Sequence, residues 1–281
     1  MQTKDIDEKS FSFKKAQRRT AFVVVAAIIV VNAIILISPT ANEQNNAGSI
    51  LRPLTAAVAV AFSLNVVYRQ KLDGLLGRAY GGLAIGLLLW FSAELIWGYY
   101  NIIARIEVPF PSLADAFWLA GYGPLGYHLF STSKLYRAFH NASKRIIVVG
   151  LAVAVFSAIY IFYIVSLSHI SGPNSILAMG ITIAYPIADA VVLVPAVLSI
   201  AKSGRGDLTA VPWIFIFWVF TAIADALFGY AADANIAGQF TIWNLFYNAA
   251  YLMMAAGLYW HNKFFVMDDN KMKKLWSKQN R

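Results

Sequence analysis

No cysteine occurs anywhere in the chain, which excludes disulfide bonds and thiolate chemistry but says nothing of compartment. Charge is also scarce. Asp, Glu, Lys and Arg make up 13% of the 281 residues, against about 25% in an ordinary soluble domain. Catalytic signatures are missing too: there is no HExxH, no GxSxG and no glycine-rich phosphate loop, so metalloprotease, serine-hydrolase and nucleotide chemistry have no carrier. The four histidines, His128, His140, His169 and His261, are scattered without metal-ligand spacing, and His128 reads as a packed histidine. No lysine falls in the last two apolar segments, which removes a retinal Schiff base. Acid–base catalysis would need two carboxyls close in space with separated proton affinities, and no local pattern shows that. The chain therefore reads as a non-enzyme, with no catalytic residue, no metal site and no cofactor.

What the chain has in excess is apolar surface. Hydrophobic residues make up 59%, with eight Trp and fourteen Tyr, against about 45–50% apolar in a soluble domain. A bilayer can absorb that surface, and the tryptophans and tyrosines suit its interfaces. Eight segments approach the roughly 20 residues that span a bilayer as helix: residues 20–38, 50–68, 80–103, 113–132, 146–167, 175–202, 210–232 and 240–260. The first is longer than the about 7–15 apolar residues of a signal peptide, so it reads as a retained helix. The expected fold is an all-α integral membrane protein with eight transmembrane helices, residues 20–260, between a basic, loosely ordered tail (1–19) and a second basic tail (261–281). The second tail mixes aromatic and lysine residues and fits an amphipathic helix on the membrane surface.

The net charge of +9 would suggest a nucleic-acid partner in a soluble protein. Here its placement gives another reading, with no nucleic acid. Of 23 Lys and Arg, all but Arg52 and Arg105 fall in the two tails and the alternate connections between segments. By the positive-inside rule both termini are cytoplasmic, in a multi-pass protein of the cell membrane. The Asn141–Ser143 glycosylation sequon then falls inside and is discarded.

The two halves, about 20–135 and 144–260, look related. Ala93, Glu94, Trp97, Gly98 and Tyr99 are matched 131 residues on by Ala224, Asp225, Phe228, Gly229 and Tyr230. Asp115, Trp118 and Tyr122 are matched 129 residues on by Asn244, Tyr247 and Tyr251, and Pro53 is matched 133 residues on by Pro186. Such offsets predict a four-plus-four repeat in parallel orientation, with a pseudo-twofold axis along the membrane normal.

Four acids lie within or at the edge of the segments: Glu94, Asp115, Asp189 and Asp225. A charged acid at the bilayer centre costs about 2.5–3.5 kcal/mol on insertion scales, so these side chains should face the bundle interior. Asn244, Tyr247, Asn248 and Tyr251 share one helical face, as do Asp115, Trp118 and Tyr122. The expectation is a polar, acidic, aromatic-lined pocket in the outer half, formed by Glu94, Trp97, Asp115, Trp118, Tyr122, Asp189, Asp225, Asn244, Asn248 and Tyr251. Arg52 and Arg105 are the outer basic groups able to pair with its acids. Two bland readings stand beside it: acids as interhelical ties, and Asp115, three residues after Ser112, as a helix-start group.

Residues 111–122, PSLADAFWLAGY, carry a resemblance. With Tyr185-Pro186-Ile187-Ala188-Asp189 and Ala224-Asp225, they resemble the multi-pass N-terminal membrane regions found upstream of bacterial GGDEF/EAL cyclic-di-GMP enzymes and of some sensor kinases. Those regions show a Tyr-Pro-Ser-x-Ala-Asp loop entering a helix, a Tyr-Pro-x-x-Asp helix and an Ala-Asp helix. The likeness covers about residues 90–259 and departs at Phe110, where the family pattern has tyrosine. Only residues 261–281 follow the last segment, so the resemblance implies a stand-alone sensor-like or accessory module. Its expected partners are the lipid bilayer, a membrane or cytoplasmic signalling protein, and a small ligand, lipid or proton. The competing expectation is a proton- or cation-coupled secondary transporter or channel-like protein, suggested by the repeat, the intramembrane acids and the helix-interrupting prolines Pro53, Pro186 and Pro195.

Overall fold

A computed structural model describes residues 2–135, 175–203, 212–233 and 241–264, with a few isolated positions besides. The predicted segment 146–167 and most of the tail 261–281 lie outside the described residues. Every described element is helical: α1 (Gln2–Leu36), α2 (Ala41–Gln70), α3 (Gly74–Gly98) running into a π-helical turn (Tyr99–Ala104), α4 (Leu113–Leu135), α5 (Ser175–Ser203), α6 (Pro212–Asp233) and α7 (Trp243–Phe264). Five stretches are long and apolar enough to cross a bilayer: Ala16–Leu36, Ala41–Gln70, Gly74–Ala104, Ile176–Ile200 and Trp213–Ala232. The protein is therefore of the helical membrane class. α4 and α7 fall short because they carry many of the polar side chains that the bundle buries, His128, Ser131, Thr132, Asn244 and Asn248 among them.

Local sequence explains the helix ends. α1 holds no proline or glycine, and it is helical from Gln2, where composition alone suggested a loose tail. α2 starts at Ala41, well before its apolar run, because Thr40 and Glu43 form a capping box. The Glu43 N–H donates to Thr40 Oγ1 at 3.2 Å, and the Thr40 N–H donates back to Glu43 Oε2 at 3.1 Å, so two donors at the helix start are satisfied reciprocally. The π-helical turn ends at Arg105, which is left-handed (φ 53°) and exposed.

Packing closes a ring. α2 lies against α3, α3 against α4, α4 against α5, α5 against α6, α6 against α7, and α7 against α2. α1 stands outside, against α7 and α2, with Phe22, Val23, Ile29 and Val30 exposed as on a lipid-facing surface. Aromatic side chains fill the middle. Trp90 on α3 meets Trp218 on α6 at 6.0 Å, Tyr122 on α4 meets Trp218 at 6.1 Å, and Trp97 on α3 meets Phe228 on α6 at 5.5 Å. Gly48 on α2 lets α7 approach closely: a Cβ there would lie 2.5 Å from Asn244 Oδ1.

At the far end of α2 and α7, Tyr80 stacks on His261 (4.1 Å) and meets the edge of His128 (4.7 Å). His128 Nδ1 lies 3.2 Å from Ala79 O, the environment of a packed histidine. His261 Nε2 lies 2.9 Å from Gln70 Oε1, just past the last predicted segment. Burial lowers its pKa from 6.5 to about 4. The unfolded chain therefore takes up this proton first as pH falls, so the stability tied to neutral His261 is whole above about pH 6.5 and drains away towards about pH 4. Melting temperature should fall across that window in wild type and fall less in His261→Gln. Equal slopes would remove His261 as the cause.

Candidate functional site

Two polar clusters form inside the ring. The first joins α2, α3 and α7. Arg52 and Glu94 are each about 1% exposed, with Arg52 Nη1 3.3 Å from Glu94 Oε2. Arg52 Nε also donates to Gly48 O at 3.4 Å. Its guanidinium carbon sits 5.0 Å from the Trp243 ring centre, 5.5 Å from Trp97 and 5.8 Å from Tyr247, within cation–π range of all three. Glu94 Oε1 accepts from Tyr251 at 3.0 Å. Asn248 Oδ1 accepts from Thr55 at 3.1 Å, and Asn244 Nδ2 donates to Asn45 at 3.3 Å. On α2, Gln44, Asn45, Ser49, Arg52 and Thr55 recur at helical spacing, so one face of this helix is polar over its first turns.

The second cluster joins α4, α5 and α6. Tyr122 O lies 2.5 Å from Asp189 Oδ1 and 3.1 Å from Asp225 Oδ2. Tyr247 donates to the other oxygen of Asp225. Asp115 has two roles. Its Oδ2 accepts from the Ser112 N–H (2.7 Å) and hydroxyl (2.9 Å) at its own helix start, and its Oδ1 accepts from Tyr185 on α5 at 2.9 Å. Each of the four acids is thus hydrogen-bonded to a tyrosine on another helix. Tyr247 belongs to both clusters, touching Arg52 with its ring and Asp225 with its hydroxyl.

A phenol oxygen carries one proton. Two carboxyl oxygens within hydrogen-bond distance of Tyr122 therefore require a further proton on the Asp189–Asp225 pair. Asp225 receives donors from two tyrosines, Tyr122 and Tyr247, and so is the better seat for the negative charge. The consistent chain runs from a protonated Asp189 to Tyr122 O, and from the Tyr122 hydroxyl to Asp225. Rotation of the phenol O–H would reverse the chain and move the proton to Asp225.

The ten residues read from the sequence as one pocket thus separate into two groups. Glu94 and Trp97 contact Arg52, Tyr251 bonds Glu94, and Asn244 and Asn248 bond Asn45 and Thr55 on the helix that carries Arg52. Tyr122, Asp189 and Asp225 form the proton-sharing trio, with Asp115 nearby through Tyr185. Trp118 hydrogen-bonds Glu94 with its side chain and packs on α3, its carbonyl accepting from Trp90 Nε1 at 2.8 Å and its ring 5.6 Å from Trp97. Sequence reasoning left Arg52, Tyr185 and Tyr247 out of the candidate set. Arg52 was readable as an outer basic residue within an apolar helix, and Tyr247 lay on the polar face with Asn244 and Tyr251. Tyr185 was marked as the first residue of the Tyr-Pro-x-x-Asp motif, with nothing local to assign it a bond. Among the described residues, no three His, Asp or Glu side chains gather as metal ligands.

Fold and site together define a helical membrane protein with an acid–tyrosine network buried among its helices. No family model, curated protein or solved structure matches the chain.

Proposed function

We propose that the chain is a sensor-like or accessory multi-pass protein of the cell membrane, with eight spans and both termini cytoplasmic. Its buried network takes up a proton or small ligand, and a membrane or cytoplasmic partner reads the change. The observation that carries this reading is Tyr122 between two carboxyls. A proton shared through one phenol can be held on either side of it, and a change in its occupancy alters ties among α4, α5, α6 and α7.

Two features support a parallel four-plus-four repeat. Exchanging α2 with α5, α3 with α6 and α4 with α7 maps the ring of packed helices onto itself. The same exchange, at the offsets seen in the sequence, carries the Tyr251–Glu94 bond onto the Tyr122–Asp225 bond. The basic tails and alternate connections support the orientation, and the PSLADAFWLAGY, YPIAD and Ala-Asp motifs support the sensor-like reading.

A second reading, a proton-coupled transporter, draws on Pro53 inside α2 and on Pro186 and Pro195 inside α5. Each proline removes a backbone donor within its helix, and such interruptions can line a transport site. Reconstitution of the protein alone in liposomes under a pH gradient separates the two. The sensor reading expects no net proton flux above that of empty liposomes. Flux that disappears in Asp225→Asn or Glu94→Gln would overturn it in favour of transport.

A further inference from the structure

A proton shared by Asp189 and Asp225 needs a way to them. Asp189 lies midway along the apolar stretch Ile176–Ile200, far from either end of its own helix. The side chains around the pair leave one polar way out. Towards α7, the Tyr247 hydroxyl bonds Asp225 and its ring faces Arg52. A guanidinium accepts no proton, so that side is closed. Towards the C-terminal ends of α4 and α5, the next layer is Leu125, Leu129, Val192, Ala196, Phe217 and Trp218, all buried in the apolar core. The Thr221 hydroxyl, one turn from Asp225 on α6, bonds no side chain that would extend a path. What is left is the end where α4 begins.

At that end Asp115 and Tyr185 continue the network. Asp115 is in the first turn of α4, close to a loop whose Arg105, Glu107, Pro109 and Phe110 are exposed. Its Oδ1 accepts from Tyr185 at 2.9 Å, and its Oδ2 accepts from Ser112. Tyr185 and Asp189 stand four residues apart on α5, so they share a face one turn apart. The charges of Asp189 and Asp225 act on Tyr185 as well as that of Asp115. Acid and phenol therefore alternate from the helix start inwards: Asp115, Tyr185, Asp189, Tyr122, Asp225. α3, the other helix packed on α4, brings Glu94, which is engaged with Arg52, Tyr251 and Trp118.

We infer that Asp115 is the port through which protons reach the buried pair, with Tyr185 as the carrier, and that the pair communicates with this end of the bundle alone. This route rests on the reading that the pair takes up a proton. A proton arriving on Asp115 Oδ1 passes to the Tyr185 oxygen while Tyr185 gives its own to the carboxylate of Asp189. Asp115 is then a carboxylate again, Tyr185 is again neutral, and one proton has moved inwards. In this structure Tyr185 is bonded to Asp115, so a turn of its phenol towards Asp189 is the gating movement. In the proposed orientation the port faces outwards, and the pair reports acidity outside the cell without passing protons across.

The test follows deuterium exchange at the pair in the purified full chain in detergent. The C=O stretch of a buried protonated carboxyl moves to lower frequency when water is replaced by heavy water, and infrared spectra give the rate. Tyr185→Phe and Asp115→Asn should each slow that exchange by about tenfold or more. The sign separates a relay from a structural tie. Loss of an interhelical tie alone eases local opening and speeds exchange, whereas loss of the route slows it. An unchanged or faster rate in either variant would overturn the inference. Should one variant fail to fold, the other decides. A wild type with no such band would overturn the proton reading and this route together, whereas a band that exchanges equally fast in the variants overturns the route alone.

Discussion

Arg52→Ala should be among the most damaging single substitutions in the chain, lowering unfolding free energy by about 3–5 kcal/mol. The reason is asymmetry. With Arg52 present, Glu94 faces a cation and a tyrosine hydroxyl. Without it, a carboxylate stays buried with hydrogen bonds from Tyr251 and Trp118 but no cation, and the ring faces of Trp97, Trp243 and Tyr247 lose the cation they surround. Removing the acid as well should restore much of the loss, because neither charge then remains uncompensated. Equilibrium unfolding in detergent on Arg52→Ala, Glu94→Gln and the pair would show this as a coupling of opposite sign to the single losses. Arg105→Ala is the control. Arg105 is exposed, and a surface substitution of this kind should stay within about 0.5 kcal/mol. If Arg52→Ala and Arg105→Ala cost the same, the ion pair contributes nothing that the packing does not already supply.

The carboxyl pair should respond to amide substitution unequally. With the proton on Asp189, as the chain of bonds requires when Asp225 holds the charge, an amide N–H in Asp189→Asn can stand in for the carboxyl O–H towards Tyr122. Stability should change by no more than about 0.5–1 kcal/mol. Asp225 accepts from Tyr122 on one oxygen and from Tyr247 on the other. In Asp225→Asn one of those acceptors becomes a donor facing a hydroxyl, and the loss should reach about 1–3 kcal/mol. Infrared spectroscopy gives an independent check. The wild type should show a buried protonated carboxyl C=O stretch that Asp189→Asn abolishes and Asp225→Asn keeps. The opposite pattern would place the proton on Asp225 and reverse the chain of bonds.

Which parts of this were legible in the sequence follows from how far each signal reaches along the chain. Helix existence was, because apolar runs announce themselves within one segment. Helix starts were legible only where a cap is recognised: Asp115 after Ser112 was weighed as a helix start, whereas Thr40 and Glu43 went unused and the beginning of α2 was placed too late. The tyrosines on α4 and α7 were found because Tyr122 and Tyr251 recur at helical spacing with polar neighbours. Their partners were not found, since the bonds from Tyr122 to Asp225 and from Tyr251 to Glu94 span 103 and 157 residues. Segment spacing carries no information about which helix faces which. Tyr185 shows the limit best. It shares α5 with Asp189 but bonds to Asp115 on α4, while Tyr122 on α4 bonds back to Asp189. Only the packing of α4 on α5 reveals that reciprocal exchange.

Tyr247 links the two clusters through a single rigid ring, one face towards the Arg52 guanidinium and its hydroxyl on Asp225. By thermodynamic reciprocity, whatever Arg52 contributes through this ring to the hold on Asp225, Asp225 contributes equally to the hold on Arg52. Tyr247→Phe keeps the ring beside Arg52 but takes from Asp225 one of its two tyrosine donors, so it cuts the link at the Asp225 end.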